Sequence, residues 1–388
     1  MMEKLKADNF IKVVASMFLV ALVYVILKEM QSVMLPLIVA VIIAVIFEPL
    51  HVWLQTKRVP AFASIIIIVL IILIISNITS LFVFTSFSSF QEAIPRYQEK
   101  FTLMYENFAT WLENSEYFKE YFAKSINLKT LVTGERVGSI MEGILSGVLG
   151  LFGNYVLILI YVVFLMTELG SVRERVHLAF SEENSTRISI IIENIFTDIK
   201  KYLVGKTLIN FVHAVLVYII LLLFGADFAI VWGFLTFFMA FIPNIGPFFA
   251  TILPFAAVLI QFDSVSTSII LLILLVVVGF VMGNIVEPKI FGNTLNLSPF
   301  LILASLIFWG YLWGIMGMLL SVPILSMIKI TLSKFESTRP VSILMSHVVT
   351  PAMIKTDKAS KKTLPKKKKF SLLAKKEEKE DTKEKDKT

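Results

Sequence analysis

The chain contains no cysteine, which excludes disulfides, thiolate metal sites and cysteine nucleophiles while leaving the compartment open. Its four histidines, His51, His177, His213 and His347, are scattered. None belongs to an HExxH pair, so no transition-metal centre is expected. Charge is also scarce: 17% of residues are Asp, Glu, Lys or Arg, against about 25% in a soluble domain. The signatures of nucleotide and hydrolase chemistry are missing too. Gly205-Lys206-Thr207 ends like a phosphate loop but lacks the upstream glycine, since positions 200 and 201 are lysine. A bare Gly-Lys-Thr cannot build the cradle of backbone amides that a phosphate needs. There is no Gly-x-Ser-x-Gly elbow, and Phe224-Gly-Ala-Asp227 lacks the second glycine of intramembrane aspartyl proteases. Neither an enzyme nor a cofactor is expected.

Apolar sequence is what the chain has in abundance. Hydrophobic residues make up 57% of it and the mean hydropathy is +0.82. Unbroken apolar runs of about 20 residues are long enough to cross a bilayer as helices. They do not alternate as the strands of a membrane barrel do. The fold class is therefore all-α: a multi-span helical membrane protein with about eight transmembrane segments, at roughly 10–28, 33–54, 61–89, 144–167, 207–225, 228–261, 265–287 and 297–333. The first run lacks the short core and small-residue cleavage site of a removed signal, so it reads as a retained span.

Four regions follow. Residues 1–89 hold spans 1–3, and 90–143 form an external amphipathic segment. A transport core occupies 144–333 with a loop at 168–206, and 334–388 form a basic tail. Lys57 and Arg58 place the 55–60 loop in the cytoplasm, and the basic residues of 168–206 place that loop on the same side. Both termini then lie inside, and the lipid bilayer is the partner expected of the spans. From Lys329 onward there are 17 Lys/Arg against 8 Asp/Glu, so the excess of positive charge (+7 over the whole chain) belongs to the tail. Nucleic-acid binding is a poor reading of it. The tail beyond about residue 356 has almost no apolar content and is expected to be disordered. In 90–143, glutamates recur at 92, 99, 106, 113 and 120, opposite a stripe of Ile94, Tyr97, Phe101, Tyr105, Phe108 and Leu112. This spacing predicts a surface helix with one solvated face.

The most informative stretch is 228–261, which is uncharged throughout and broken at its centre by Phe241-Ile-Pro-Asn-Ile-Gly-Pro247. Lipid cannot satisfy backbone groups freed by a broken helix, so such a break survives only against protein or a wet cavity. Broken helices meeting inside the membrane are how many secondary transporters hold their solutes. Segment 297–333 carries a second interruption near Gly310–Gly317. Each segment reads either as one long tilted span or as a re-entrant hairpin, and the charge rule does not separate the two, because both leave the tail inside. Pro243, Asn244, Gly246 and Pro247 are the candidate solute-binding residues, with Asn284 beside them. Glu287 and Lys289 are the candidate ion-coupling residues, since ionisable groups near the apolar phase are functional candidates with a partner to be named. A polar run at the end of the third span, from Ser76 to Ser89, reads as hydroxyls bonded within their own helix or bridging to a neighbour.

These motifs resemble the AI-2E family of bacterial transporters, also called PerM-like permeases. The resemblance rests on Phe224-Gly-Ala-Asp-Phe-Ala-Ile-Val-Trp-Gly-Phe234, Phe241–Pro247, Ile252-Leu-Pro254, Asn284-Ile-Val-Glu-Pro-Lys-Ile-Phe-Gly292, Leu297-Ser-Pro299 and Gly314–Pro323. Lys201-Tyr-Leu-Val-Gly205 is similar to the family's segment before its fifth span. The resemblance covers about residues 10–335 and departs at Phe308-Trp309 and at Glu48. It implies a multi-pass protein of the bacterial inner membrane that exports autoinducer-2 or exchanges sodium for protons. The expectation is thus a secondary transporter of a small polar solute, coupled to an ion gradient. Sodium (or lithium)/proton antiport is one alternative, and a scaffold for envelope partners is another. Homo-oligomerisation is left open.

Overall fold

The computed structural model describes residues 2–113, 155–179, 182–242, 245–262, 264–291 and 296–347. Among these, regular structure is helical, with one isolated antiparallel bridge between Leu297 and Ser346. In chain order the helices are α1 (Met2–Glu29), α2 (Gln31–Thr56), α3 (Ala61–Glu113), α4 (Tyr155–Ala179), α5 (Glu182–Leu223), α6 (Ala229–Met239), α7 (Ile245–Gln261), α8 (Val265–Val281), α9 (Glu287–Phe291), α10 (Pro299–Lys334) and α11 (Arg339–Leu344). A π-helical turn, Met282–Val286, joins α8 to α9. The chain is a multi-pass membrane protein: Gln31–Thr56, Ala61–Leu81, Ile188–Leu223 and Val265–Phe291 are each long and apolar enough to span. Pro299–Lys334 has that length as well, but only because two arms are added end to end.

Both interrupted segments are re-entrant hairpins. Were 227–261 one continuous helix, its ends would lie about 50 Å apart at 1.5 Å per residue. Instead the Gln261 side chain bonds both ends of that stretch together. Its Oε1 accepts from the Asp227 amide at 2.7 Å, and its Nε2 donates to the Gly225 carbonyl at 2.9 Å. Helices α6 and α7 are therefore the two arms of hairpin 1. In α10 the helix is broken at Trp313 and Gly314. Ser305 Oγ donates to the Ser321 carbonyl at 3.1 Å, although sixteen residues of helix would separate them by about 24 Å. At its feet Lys329 Nζ reaches the Asn296 carbonyl at 2.6 Å. This is hairpin 2, and the tilted-span alternative is set aside for both segments.

A shared packing device lets the arms close. A Cβ on Gly246 would lie 1.7 Å from the Met239 carbonyl oxygen, and one on Gly317 would lie 1.8 Å from that of Trp309. Only a residue without a side chain admits the opposite arm so near. The turn of hairpin 2 adds a conformational demand, since Gly314 sits at φ 62, ψ −144, a region essentially reserved for glycine.

The hairpins open toward opposite ends of the bundle. The feet of hairpin 1 lie where α5 ends and α8 begins, and those of hairpin 2 where α9 ends and α11 begins. Their tips meet in one apolar cluster of Met239, Ile242 and Ala250 from hairpin 1 with Leu306, Leu312, Trp313, Met316 and Leu319 from hairpin 2. Leu35 of α2 closes it, and Trp313 Nε1 donates to the Leu27 carbonyl at the end of α1. Another core packs hairpin 1 on α5 and α8, and another joins α2, α3 and α4.

Helix α3 does not stop where the third span was expected to end, near 89. It runs on for 53 residues in all, about 80 Å, so its second half projects beyond a hydrocarbon core of about 30 Å. Within it, the Thr85 and Ser89 hydroxyls each donate to the carbonyl four residues back, in line with helix-bonded hydroxyls, and the Asn77 amide does the same. Glu92, Glu99 and Glu106 are exposed on the projecting part. The side chains of Ile94, Phe101, Tyr105, Phe108 and Leu112 fall outside the described set, as do residues 114–154 and the tail from 348.

Candidate functional site

Three polar places interrupt this apolar bundle. The first is the tip of hairpin 1. Pro243 and Asn244 lie outside the described residues. Gly246 is buried and Pro247 half-buried in the first turn of α7, where a proline removes no helical hydrogen bond. The amide end of α7 thus begins inside the bundle, beside the carbonyl end of α6.

Facing the tip is a file of polar residues on α5 that sequence reasoning missed. Lys206, Asn210 and His213 fall one turn apart on one helix face, and all three are buried. Asn210 Nδ2 makes a long 3.5 Å contact with the Phe237 carbonyl of α6. Around Gly279 of α8, the His213 Nε2 and the Thr251 Oγ1 of α7 each lie 4.0 Å from where a Cβ would stand. The only sequence signal for this file was three polar side chains at helical spacing inside an apolar run.

The second place is the ion pair at the foot of that file. Lys206 Nζ donates to both carboxylate oxygens of Glu287 at 2.8 Å. The lysine side chain is 8% exposed and the glutamate 31%, so the ammonium is enclosed and the carboxylate is partly open. Glu287 was singled out from sequence together with Lys289. Its partner is instead Lys206, 81 residues away in the chain, while Lys289 is exposed. The π turn immediately before Glu287 widens the helix and re-aims the carboxylate; such turns recur at functional sites. Asn284, within the turn, is exposed and donates to the Phe280 carbonyl of its own helix. Close packing of the Phe291 ring on Gly205, 2.9 Å from a Cβ there, holds α9 on α5. Nearer the same end, Lys200 pairs with Glu48 at 2.7 Å and Lys334 with Asp198.

The third place is the mouth of hairpin 1. Arg96 and Tyr97, on the projecting half of α3, both donate to Asp227 Oδ2, and Lys100 Nζ donates to the Gln261 carbonyl at 2.8 Å. Arg96, Tyr97, Lys100, Asp227, Ile260 and Gln261 line a cavity of about 240 Å³. Burial, and then the charge of Asp227, push the Tyr97 phenol well above its ordinary range, so it remains a donor at any physiological pH. Asp227, in the turn between α5 and α6, thus fastens the α3 extension to the hairpin. Among the described residues no group of His, Cys, Asp and Glu could hold a metal ion.

A family profile and several known proteins align with most of this chain. The profile of the AI-2E family transporters matches residues 13–337. A relative from Escherichia coli K12, the AI-2 transport protein TqsA, is 27% identical over 345 residues, covering 88% of this chain and 97% of its own length. A relative from Borreliella burgdorferi with a provisional transport-protein name is 28% identical over 319 residues, covering 82% of this chain and 86% of that one. YhhT of Escherichia coli K12, also provisionally named for transport, is 28% identical over 315 residues, 81% and 88% of the two chains.

Proposed function

The chain belongs to the AI-2E transporter family, and from that premise we propose that it is an ion-coupled secondary transporter of a small polar solute in the bacterial cytoplasmic membrane. The observation that carries the reading is the pair of re-entrant hairpins, opening to opposite ends and touching at their tips. Two half-helices ending inside the bundle expose amide and carbonyl ends to one small volume, which suits a polar solute that lipid excludes. Pro243, Asn244, Gly246 and Pro247 are the solute-binding residues of this reading. Asn284, bonded to its own helix, is the weakest of the earlier candidates for direct contact. Glu287 is the coupling residue, because it is the carboxylate beside the buried file and it is partly exposed. Both termini lie in the cytoplasm, and the mouth of hairpin 1 with the α3 extension faces outward. TqsA's name makes autoinducer-2 the first solute to try.

The buried Lys206–Glu287 pair also favours a second reading, sodium/proton antiport without an organic solute, since it stands apart from the hairpin tips. Flux into proteoliposomes containing only this chain separates the readings. Solute movement driven by an imposed sodium or pH gradient, and lost in Glu287→Gln, is the expected result. Proton movement driven by sodium alone favours the antiporter, and no flux under any gradient overturns both.

A further inference from the structure

A glycine inside a helix is less stable than alanine, so each one asks for a reason. At several the reason is close packing. A Cβ at Gly205 or Gly233 would lie 2.9 Å from a neighbouring side chain, and at Gly246 or Gly317 nearer still to a carbonyl. Gly279, in the regular helix α8, is different. A Cβ there would meet no other element nearer than 4.0 Å, which is ordinary contact, so packing does not demand glycine. What borders the open position is polar: the two atoms at 4.0 Å are His213 Nε2 from α5 and Thr251 Oγ1 from α7. His213 is 6% exposed, yet its ring makes no hydrogen bond with a described residue. Hydroxyls elsewhere in the bundle close onto their own helix, as Thr236 does on the Trp232 carbonyl at 2.7 Å and Thr331 on that of Met327. Among the described residues Thr251 makes no such bond. Buried polar groups are nearly always partnered, and the hydrocarbon around a membrane bundle supplies no partner. Two elements thus turn unused polar atoms toward a gap that the third leaves open.

We propose that His213, Thr251 and the bare Cα of Gly279 form a seat for an uncharged hydroxyl group of the transported solute. The proposal rests on the transporter reading above and adds to it a second contact region, between hairpin 1, α5 and α8. Thr251 lies in the second turn of α7, the arm that begins at the hairpin tip, so the seat continues from the tip into the bundle. An imidazole nitrogen donates or accepts according to its tautomer, and the threonine hydroxyl does both. A hydroxyl on the solute also does both and so satisfies either. An ionised group does not fit. The nearest charge on this face of α5, Lys206, stands about two turns away and is held by both Glu287 oxygens at 2.8 Å. An ion seated here would lack a counter-charge, which a buried site does not tolerate. Gly279 is then the specificity-determining position, because its missing side chain is the room that the hydroxyl uses.

The test has two arms, both on the full chain in proteoliposomes. In the first, Gly279→Cys is treated with 2-aminoethyl methanethiosulfonate, a small water-soluble thiol reagent, beside Phe280→Cys, a position exposed on the outside of the same helix. Reaction about tenfold faster at 279 is expected, because a thiol ionises readily only where water reaches it. Equal or slower reaction at 279 overturns the seat. Thr251→Cys, close in size to the parent residue, takes its place if Gly279→Cys does not assemble. In the second arm, Gly279→Ala separates the solute's hydroxyl from water as the occupant. The added methyl is accommodated at 4.0 Å and favours the helix, so the thermal midpoint should hold or rise. Gradient-driven flux of autoinducer-2 should nonetheless fall about tenfold, the scale of one misplaced methyl in a pocket. Unchanged flux means that water alone fills the gap, and a lower midpoint makes Gly279 a packing residue; either overturns the seat. Fast reaction at 279 with no flux in the parent chain under any gradient supports the polar gap and overturns the transport reading instead.

Discussion

The two hairpins solve the same problem with different materials. Hairpin 2 is fastened at its feet largely by backbone groups: the Leu297–Ser346 bridge, Ser298 N to the Met345 carbonyl at 2.9 Å, and the Asn296 carbonyl taken by Lys329. Its arms are further joined inside by Ser305 and Ser321. Hairpin 1 is fastened by side chains, through Gln261 between its own arms and through Arg96, Tyr97 and Lys100 from α3. Arg96 and Asp227 are 60% and 31% exposed, so this tie is partly hydrated and screened by salt. Hairpin 1 is therefore the easier to release, at its mouth, whereas the first foot of hairpin 2 is also paired through its backbone to the segment after α11.

The largest effect should come from the device that both hairpins share. Gly246→Val and Gly317→Val each force a side chain onto an opposing carbonyl, and each is expected to cost about 3 kcal/mol or more. Loss of monodisperse protein on extraction, together with a lower thermal midpoint, reads this out. Equal damage in both would tie the hairpins to one design, and tolerance of either would break that likeness. Gly314→Ala should cost about 1–3 kcal/mol through its backbone conformation alone. Its effect belongs to hairpin 2 and should leave the amides of 229–261 protected in hydrogen exchange.

Ser305→Ala is smaller, about 1 kcal/mol for one arm-to-arm bond, again seen as faster exchange confined to hairpin 2. Asp227→Asn is the smallest in stability, within about 1 kcal/mol as for other exposed pairs. Its exchange signature should nonetheless be specific, with faster exchange at the mouth of hairpin 1 that narrows against the parent as salt rises. Equal loosening of hairpin 2 would contradict the contrast.

Much of this fold was legible because membrane insertion leaves few options. The apolar runs marked the helical class, and the Pro243–Pro247 break and the Gly310–Gly317 interval located both tips. Whether those segments crossed or folded back was not legible, since the deciding bonds join residues such as Asp227 and Gln261 that are far apart in the chain. The same reason hid Lys206 as the partner of Glu287, and hid Asp227 as an anchor for α3. Glu287 itself stood out as a carboxylate at the edge of an apolar run. Its aim did not, because the π turn that re-aims it has no local sequence rule comparable to a proline or a cap.

The absence of cysteine makes the decisive measurement clean, because any thiol introduced is the only one. Single cysteines at Gly225 and Ser264, both exposed, mark the two feet of hairpin 1, and at Ser298 and Ser333 those of hairpin 2. Each is treated with a membrane-impermeant thiol reagent in intact cells and in inverted vesicles. Opposed re-entrant hairpins predict that 225 and 264 react from one face and that 298 and 333 both react from the other. Feet of a single hairpin reacting from opposite faces would make that segment a crossing span and contradict the account at its centre.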